Sequence, residues 1–284
     1  MKGLTDSFRA RAHKLVVLSA ACAGFLLNSQ AQYTLHDVNS SVTINPSAQT
    51  GMLNWFVDGQ NQLYQQWFWY RVGSAGPEHS IDTIGTPSVS TNANTLTATY
   101  NAGYFNMGLT YSLRGGAAGS GVSDVGEQIT INNTSGSNMV LHFFQYSDFD
   151  LGGTPGGDTV QLDKNLQGKF NEAFQWKGNI SLTETFSDTV ATPGADHGEA
   201  AFFNQTLTEL NDALATTLND NAGPVGPGDV TWAFEWDLAI ANGSSVIISK
   251  DKNLQIQIIP EPAALSLLAL GIAGWFFRSR RSAR

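Results

Sequence analysis

Cysteine and histidine are scarce in this chain. It has one cysteine, Cys22, and five histidines in 284 residues. One cysteine excludes an internal disulfide framework. No two histidines stand at a spacing typical of zinc ligands, and the sequence has no H-E-x-x-H, G-x-S-x-G or phosphate-loop motif. These absences leave a local zinc site and the common nucleophilic and nucleotide chemistries without support.

Basic residues are also few between the two ends of the chain. Residues 32–259 contain seven lysines and arginines against twenty-two aspartates and glutamates, a formal charge of −15. Such a surface repels nucleic acid and anionic lipid. It suits divalent cations or a neutral polysaccharide, and it also serves solubility alone.

Long apolar runs are absent except near the two ends. The N-terminal segment contains four basic residues and then the apolar run LVVLSAACAGFLL, followed by Ser29 and Ala31. This pattern predicts a secretory signal peptide over residues 1–31, cut by signal peptidase between Ala31 and Gln32. Cys22 lies inside the apolar run and Ser19 precedes it where a lipoprotein signal has leucine, which argues against lipid attachment.

The C-terminal apolar run is short. Residues 263–277 are fifteen uncharged residues, and the cluster Arg278, Arg280, Arg281 and Arg284 follows them. As a helix they would span about 22 Å, less than the ~30 Å hydrocarbon core of a bilayer. We expect a transmembrane helix over 263–277 with its arginines on the cytoplasmic side. Pro260 and Pro262 favour an extended, accessible approach to it.

Three consecutive elements of this end form a recognisable set. They are Pro260-Glu261-Pro262, the apolar stretch LSLLALGIAG and the cluster RSRR with Arg278, Arg280 and Arg281. Together they resemble the PEP-CTERM sorting signal of Gram-negative bacteria that make extracellular polysaccharide. The resemblance implies recognition by an exosortase, removal of the tail near the motif, and a final place on the cell surface or in the extracellular matrix. The bulky Trp275-Phe276-Phe277 departs from the usual pattern and leaves a retained anchor as the alternative.

The segment between the ends has the pattern of an all-β domain. Short runs of valine, threonine, isoleucine and aromatic residues alternate with glycine, asparagine and aspartate turns. We predict one jelly-roll-like β-sandwich over residues 32–258, with 259–284 as the sorting segment. Asp58-Gly59 predicts a hairpin between residues 52–57 and 63–72, and Asn242-Gly243 predicts one between residues 230–240 and 244–256. Four leucines at helical spacing predict one helix of three to four turns from about Asn204: Leu207, Leu210, Leu214 and Leu218.

Two strands are rich in aromatic residues. Trp232, Phe234 and Trp236 share one face of a predicted strand, which we expect to be buried. The segment 67–70, WFWY, has aromatics on both faces. We expect these rings to be buried as well; an exposed row would instead stack on sugar rings.

Residues 147–163, SDFDLGGTPGGDTVQLD, contain several aspartates around a Gly-rich loop. Asp148 and Asp150 share a strand face, and the loop returns the chain to Asp158. Hard carboxylate oxygens on a flexible loop suit Ca²⁺. The spacing matches no standard calcium loop, so solvated acids beside a turn are the alternative.

Paired carboxylates raise the question of catalysis. Glu235 and Asp237 lie on the Trp-rich strand, but a glycoside hydrolase needs two acids on opposite sides of a bond. We therefore expect an exported, non-enzymatic surface or matrix protein with a structural or adhesive role in association with exopolysaccharide. The alternatives are a non-catalytic carbohydrate-binding module and, third, a secreted glycoside hydrolase.

Overall fold

Alternating segments separated by turns form strands through nearly all of the described chain. The structure, a computed structural model, describes residues 31–187 and 193–257. In these ranges it has one short helix, α1 (Gln205–Glu209), a 3-10 turn at Ile81–Ile84, and eighteen strands. In chain order the strands are β1 Tyr33–Asp37, β2 Ser40–Asn45, β3 Gly51–Val57, β4 Gln60–Asn61, β5 Gln65–Val72, β6 His79–Ser80, β7 Ser88–Thr91, β8 Thr95–Asn101, β9 Phe105–Gly115, β10 Val122–Asn133, β11 Met139–Asp148, β12 Asp158–Lys164, β13 Phe170–Lys177, β14 Ile180–Phe186, β15 His197–Phe202, β16 Val225–Gly228, β17 Val230–Ile240 and β18 Ser245–Ile256.

The strands form two sheets that pack face to face, which confirms the predicted all-β sandwich. The first sheet has the order β1-β2-β3-β5-β11-β17-β15, with β4 added to β3 and β6 to β5. The second has the order β16-β12-β13-β14-β18-β10-β9-β8-β7. All of these pairs are antiparallel except the short contact between β3 and β5.

Aromatic side chains fill the space between the sheets. Trp232, Phe234 and Trp236 of β17 are fully buried, as predicted. Phe149 stacks on Trp232 with ring centroids 5.1 Å apart, and Phe186 of the second sheet meets Phe234 edge-on at 4.7 Å. Truncation of a core aromatic to alanine costs about 3–5 kcal/mol, so this face of β17 is a main source of stability.

Four charged side chains share the same interior. Lys250 and Lys252 of β18 lie 2.7 Å and 2.8 Å from Oε2 of Glu127 and 3.6 Å and 3.4 Å from Oε1 of Glu184. Gln145 of the first sheet donates to both oxygens of Glu184 at 2.8 Å. Burial disfavours the charge on Glu127, but the two lysines outweigh it and hold the pKa of that carboxyl below its ordinary value. The two positive and two negative charges therefore compensate one another.

The predicted helix is wrong in length. Helix α1 has one turn and ends at Glu209, and the chain then continues in an irregular path. Leu210 and Leu218 are buried and Leu207 is half-buried, whereas Leu214 is 70% exposed. Three of the four leucines predicted to face inward therefore do so, but the helical conformation predicted for them is not the one that buries them.

Backbone contacts explain why no helix continues as far as Leu218. Residues 203–221, the covering segment, lie across the outer face of the first sheet. The backbone N–H of Thr216 donates to Glu78 at 2.9 Å, and that of Leu218 donates to Glu235 at 2.9 Å. A longer helix would use these N–H groups internally and deprive each of two buried carboxylates of one donor. The sheet therefore holds the segment extended.

The Asp58-Gly59 turn is confirmed, but the hairpin around it differs from the prediction: β3 pairs antiparallel only with the two-residue β4, and its contact with β5 is parallel. Asp58 and Gly59 both have positive φ, 48° and 82°, as a type I′ turn requires, and they join β3 to β4. The Asp58 carboxylate also accepts the N–H groups of Gly119 and Gly121 at 2.6 Å and 2.8 Å. The turn thus fastens the loop between β9 and β10.

The second predicted hairpin is wrong. A turn does occur at Asn242-Gly243, and Gly243 has a φ of 71°. However, β17 pairs with β11 and β15 in the first sheet, while β18 pairs with β10 and β14 in the second. Both edges of each strand are occupied by other partners, so the turn connects the two sheets instead of pairing its own strands.

Candidate functional site

The acidic residues of the predicted calcium loop converge at one end of the sandwich. Asp148 ends β11, Asp150 follows it, and Asp229 directly precedes β17. One carboxylate oxygen of each lies within 4.8 Å of the other two. Asp158, the third predicted ligand, lies at the start of β12 beside this group but outside it. The sequence missed Asp229 because nothing local links it to a loop eighty residues earlier.

The carboxylates of this cluster differ in exposure. Asp148 is 1% exposed, while Asp150 and Asp229 are half-buried. The Tyr146 hydroxyl donates to Oδ2 of Asp148 at 3.4 Å, but within the described residues no donor reaches its Oδ1. Asp158 is buried too, and Lys177 lies 3.3 Å from its Oδ2.

The electrostatic environment opposes ionisation of these groups. Burial, with the charges of Asp150 and Asp229, raises the pKa of Asp148 to about 8. Burial also raises the pKa of Asp158 to about 6, although Gln175 and Lys177 lower it in part. A bound cation would favour the ionised forms of all of them.

Histidine and carboxylate side chains meet on the outer face of the first sheet. Nδ1 of His142 lies 2.5 Å from Oδ1 of Asp237 and 3.3 Å from Oε1 of Glu235. His197 extends this group: its Nδ1 lies 3.1 Å from Asp220 and its Nε2 lies 3.8 Å from Asp237. Local spacing gave no sign of this group, because its members come from β11, β15, β17 and the covering segment.

The geometry of this group limits what it can do. Glu235 and Asp237 contact the same imidazole, so they do not face each other across a gap that a glycosidic bond could occupy. The covering segment also lies on Glu235 through the Leu218 N–H. Burial raises the pKa of Glu235 to about 8, with Asp237 adding to the shift and the Leu218 N–H opposing it. Glu235 is therefore buried beneath the covering segment, whereas Asp237 stays exposed.

The aromatic segment 67–70 is buried on both faces, as expected. Trp67, Phe68 and Trp69 are fully inaccessible and Tyr70 is 8% exposed. The indole N–H of Trp69 donates to Asn211 of the covering segment at 3.3 Å. These rings are therefore not available to stack on sugars.

A different aromatic pair reaches the surface. Phe174 and Trp176, alternate residues of β13, are half-buried on the outer face of the second sheet, with ring centroids 5.2 Å apart and planes 22° apart. They line a shallow hollow of about 240 Å³ together with Asn179, Ser181 and Gln257, among others. The alternation FNEAFQWK contained this signal, but it was less conspicuous than the WFWY run.

Tyr64 and Phe203 form a second surface pair. Their rings meet edge-on at 6.3 Å, and they are 57% and 37% exposed. The pair lies beside the acidic cluster, since Tyr64 N–H donates to the Asp148 carbonyl and Phe203 N–H to the Asp229 carbonyl.

The predicted export and sorting segments lie largely outside the described residues. This applies to the signal segment up to residue 30 and to Pro260, Glu261, Pro262, the helix over 263–277 and the arginines after it. Among the helices of residues 31–187 and 193–257, none is long and apolar enough to cross a membrane.

Comparison with known proteins bears on the C-terminal end and on the fold separately. The model of the PEP-CTERM protein-sorting motif matches residues 259–281, so the chain carries this motif. A comparison with curated proteins gives no match.

Solved structures resemble the sandwich at low sequence identity. A bacterial glucoamylase complexed with acarbose has a TM-score of 0.54 and 10% identity, over 80% of this chain and 32% of its own. A candidate aldose 1-epimerase from Escherichia coli K12 has a TM-score of 0.51 and 10% identity, over 80% of this chain and 99% of its own. The Slr1438 protein from Synechocystis sp. PCC 6803 has a TM-score of 0.51 and 12% identity, over 80% of this chain and 96% of its own. The chain thus spans about a third of the glucoamylase, and these likenesses establish the fold.

Proposed function

We propose that this chain is an exported surface or matrix protein that binds extracellular polysaccharide, without catalysis, through Phe174 and Trp176. The single observation behind the binding proposal is the stacked pair beside a shallow hollow. A ring face packs against the apolar C–H face of a sugar, while nearby polar groups bond its hydroxyls. Asn179, Ser181 and Gln257 are such groups.

The processing steps follow from the two ends of the chain. Signal peptidase cuts between Ala31 and Gln32, and the helix over 263–277 then holds the protein in the membrane for a time. An exosortase removes the tail near Pro260-Glu261-Pro262 and releases the sandwich to the surface or matrix. The match over residues 259–281 supports the exosortase step, and the N-terminal sequence pattern supports the signal-peptidase step. Because Gln257 lines the hollow, the saccharide would bind close to the point of sorting.

The fold favours a saccharide as the ligand. Two of the similar structures are named for proteins of sugar chemistry, a glucoamylase with acarbose and a candidate aldose 1-epimerase. The absence of catalysis is proposed from the geometry of Glu235 and Asp237, which contact one imidazole, and from the covering segment that lies on Glu235. This leaves a saccharide bound at the surface intact.

A binding assay with matched variants tests the proposal. The exported protein is incubated with a glycan array and with the exopolysaccharide of the producing cells, and hydrolysis products are measured in the same samples. We expect binding without release of sugar, and a loss of at least about tenfold in Trp176→Ala, since a stacked ring supplies a large part of a small interface.

The control is Tyr104→Ala, an exposed ring in the turn before β9, four strands away from β13 in the second sheet. The control is expected to bind like the parent. Equal binding by the parent and Trp176→Ala would contradict the assignment of the hollow, and release of sugar would contradict the non-catalytic assignment.

A further inference from the structure

The acidic cluster at the end of β11 has a buried oxygen that lacks a partner. Asp148 is 1% exposed, and within the described residues no hydrogen-bond donor reaches its Oδ1. The carboxylates of Asp150 and Asp229 lie within 4.8 Å of this group. A buried carboxylate oxygen without a partner is costly, and two further carboxylates at this distance add repulsion.

The nearby lysine does not compensate Asp148. Nζ of Lys177 lies 2.7 Å from both the carbonyl and the hydroxyl of Thr154, and 3.3 Å from Asp158. It thus neutralises Asp158 and fixes the Gly-rich loop at Thr154. Its charge also favours ionisation of Asp150 and Asp229, whose pKa values burial nevertheless raises. Among the described residues, no positively charged side chain contacts Asp148, Asp150 and Asp229 together.

The backbone positions of the three aspartates are held by hydrogen bonds. The Asp148 carbonyl accepts the Tyr64 N–H at 3.1 Å, the Asp150 carbonyl accepts the Gly153 N–H at 2.8 Å, and the Asp229 carbonyl accepts the Phe203 N–H at 3.0 Å. The fold therefore fixes the backbone positions from which the three carboxylates project. Such preorganisation lowers the entropy lost when a ligand is bound.

We propose that Asp148, Asp150 and Asp229 form a calcium site that ties the end of β11 to the start of β17, with Asp158 and Lys177 bordering it. All three donors are carboxylate oxygens, which suit hard cations. The half-exposed Asp150 and Asp229 leave space for the waters that complete six to eight ligands around Ca²⁺. Mg²⁺ demands a tighter octahedral geometry, which three carboxylates from two segments do not enforce.

The site is independent of the saccharide proposal. The hollow at Phe174 and Trp176 lies on the outer face of the second sheet, whereas the aspartates lie at the end of the first sheet. A failure of saccharide binding would leave the calcium site untouched, and the reverse also holds.

Calorimetric titration of the full chain with calcium chloride tests the site. We expect one saturable site with a Kd of about 0.1–1 mM, the range of extracellular calcium modules, and magnesium at least about tenfold weaker. Asp148→Asn is expected to weaken calcium binding at least about tenfold, because the ligand charge falls. Asp229→Asn, at a half-buried position, provides a second variant should Asp148→Asn fold poorly.

The matched control is Asp163→Asn, an exposed aspartate of β12. It is expected to bind calcium like the parent. Melting temperatures with and without calcium give a second readout, since a ligand of the native state raises them by mass action. No calcium binding, equal binding of calcium and magnesium, or equal binding by Asp229→Asn and Asp163→Asn would each overturn the site.

Discussion

Charged side chains in the sandwich interior have large individual effects because water does not reach them. Lys250, Lys252, Glu127 and Glu184 are all at most 3% exposed and contact one another. A buried pair is stable only while its charges balance. The network therefore makes stability sensitive to single residues that contribute no apolar packing.

Removal of one charge should be strongly destabilising. We expect Lys252→Met to lower the free energy of unfolding by about 3–5 kcal/mol, because it leaves an excess buried carboxylate. In the double variant Lys252→Met/Glu184→Gln, the free energy of unfolding should fall by less than the sum of the two single losses, because the pair Lys250–Glu127 remains balanced. Urea denaturation measures all of these values. Asp251→Asn, exposed on the same strand, is the control, and strict additivity of the two single effects would contradict a coupled network.

The covered carboxyl group of Glu235 predicts a pH dependence. Its pKa is raised to about 8 in the folded protein, chiefly by burial, and returns to its ordinary value on unfolding. The native state therefore binds a proton more tightly. This contribution to stability is fully present below the ordinary carboxyl pKa and is lost as pH rises through about 8.

Thermal melting from pH 5 to pH 9 measures this effect. We expect the melting temperature of the parent to fall across that range, and the fall to be smaller in Glu235→Gln, whose amide does not ionise. Asp163→Asn, which changes an exposed carboxylate, should melt with the same pH dependence as the parent. Identical slopes in all three proteins would show that Glu235 ionises freely.

At the scale of elements, a glycine controls how β3 approaches β5. Gly51 has a φ of 55°, and a Cβ there would lie 2.2 Å from Cε3 of Trp67 and 2.4 Å from the carbonyl oxygen of Gln66. Gly51 and Gln66 are themselves partners in the parallel contact between the two strands. A side chain would have to displace backbone, so the contact depends on glycine.

Two alanine substitutions separate the steric effect from the backbone effect. Gly59 also has positive φ, 82°, but no atom lies within 4 Å of a Cβ built there. We expect Gly59→Ala to cost about 1 kcal/mol and Gly51→Ala at least about 2 kcal/mol more, because only the second forces atoms apart. Equal losses in chemical denaturation would show that β3 moves away freely.

At the scale of the whole molecule, charge is divided between the ends and the middle. Eight of the fifteen basic residues lie before residue 15 or after residue 277, and residues 32–259 have a formal charge of −15. Basic ends and an acidic middle are consistent with a chain that crosses a membrane and leaves its body outside. The sorting motif over residues 259–281 agrees with this division.

Processing can be followed by intact-mass measurement of surface protein. In cells with an exosortase we expect a main species that begins at Gln32 and lacks Arg278 to Arg284. Cells without the exosortase provide the control and should retain the tail. If the tail is retained in both cells, the segment is a permanent anchor.

Local patterns were sufficient for the class of fold, for single strands and for the sorting motif. Period-two alternation and turn residues act between near neighbours, so strands such as β14 (Ile180–Phe186) and the Asp58-Gly59 turn could be predicted from them. The sorting motif needs no tertiary structure, because a processing enzyme recognises a short segment.

Only the tertiary structure decided which strands pair and which side chains meet. The Asn242-Gly243 turn joins two sheets because other strands occupy both edges of β17 and β18. The helix after Asn204 does not continue to Leu218 because Glu78 and Glu235, distant in sequence, accept the N–H groups that it would need there. Asp229 lies beside Asp148 because β17 pairs with β11 in the first sheet. Contacts of this kind join residues far apart in the chain, so they depend on the pairing and packing of the strands and no local pattern encodes them.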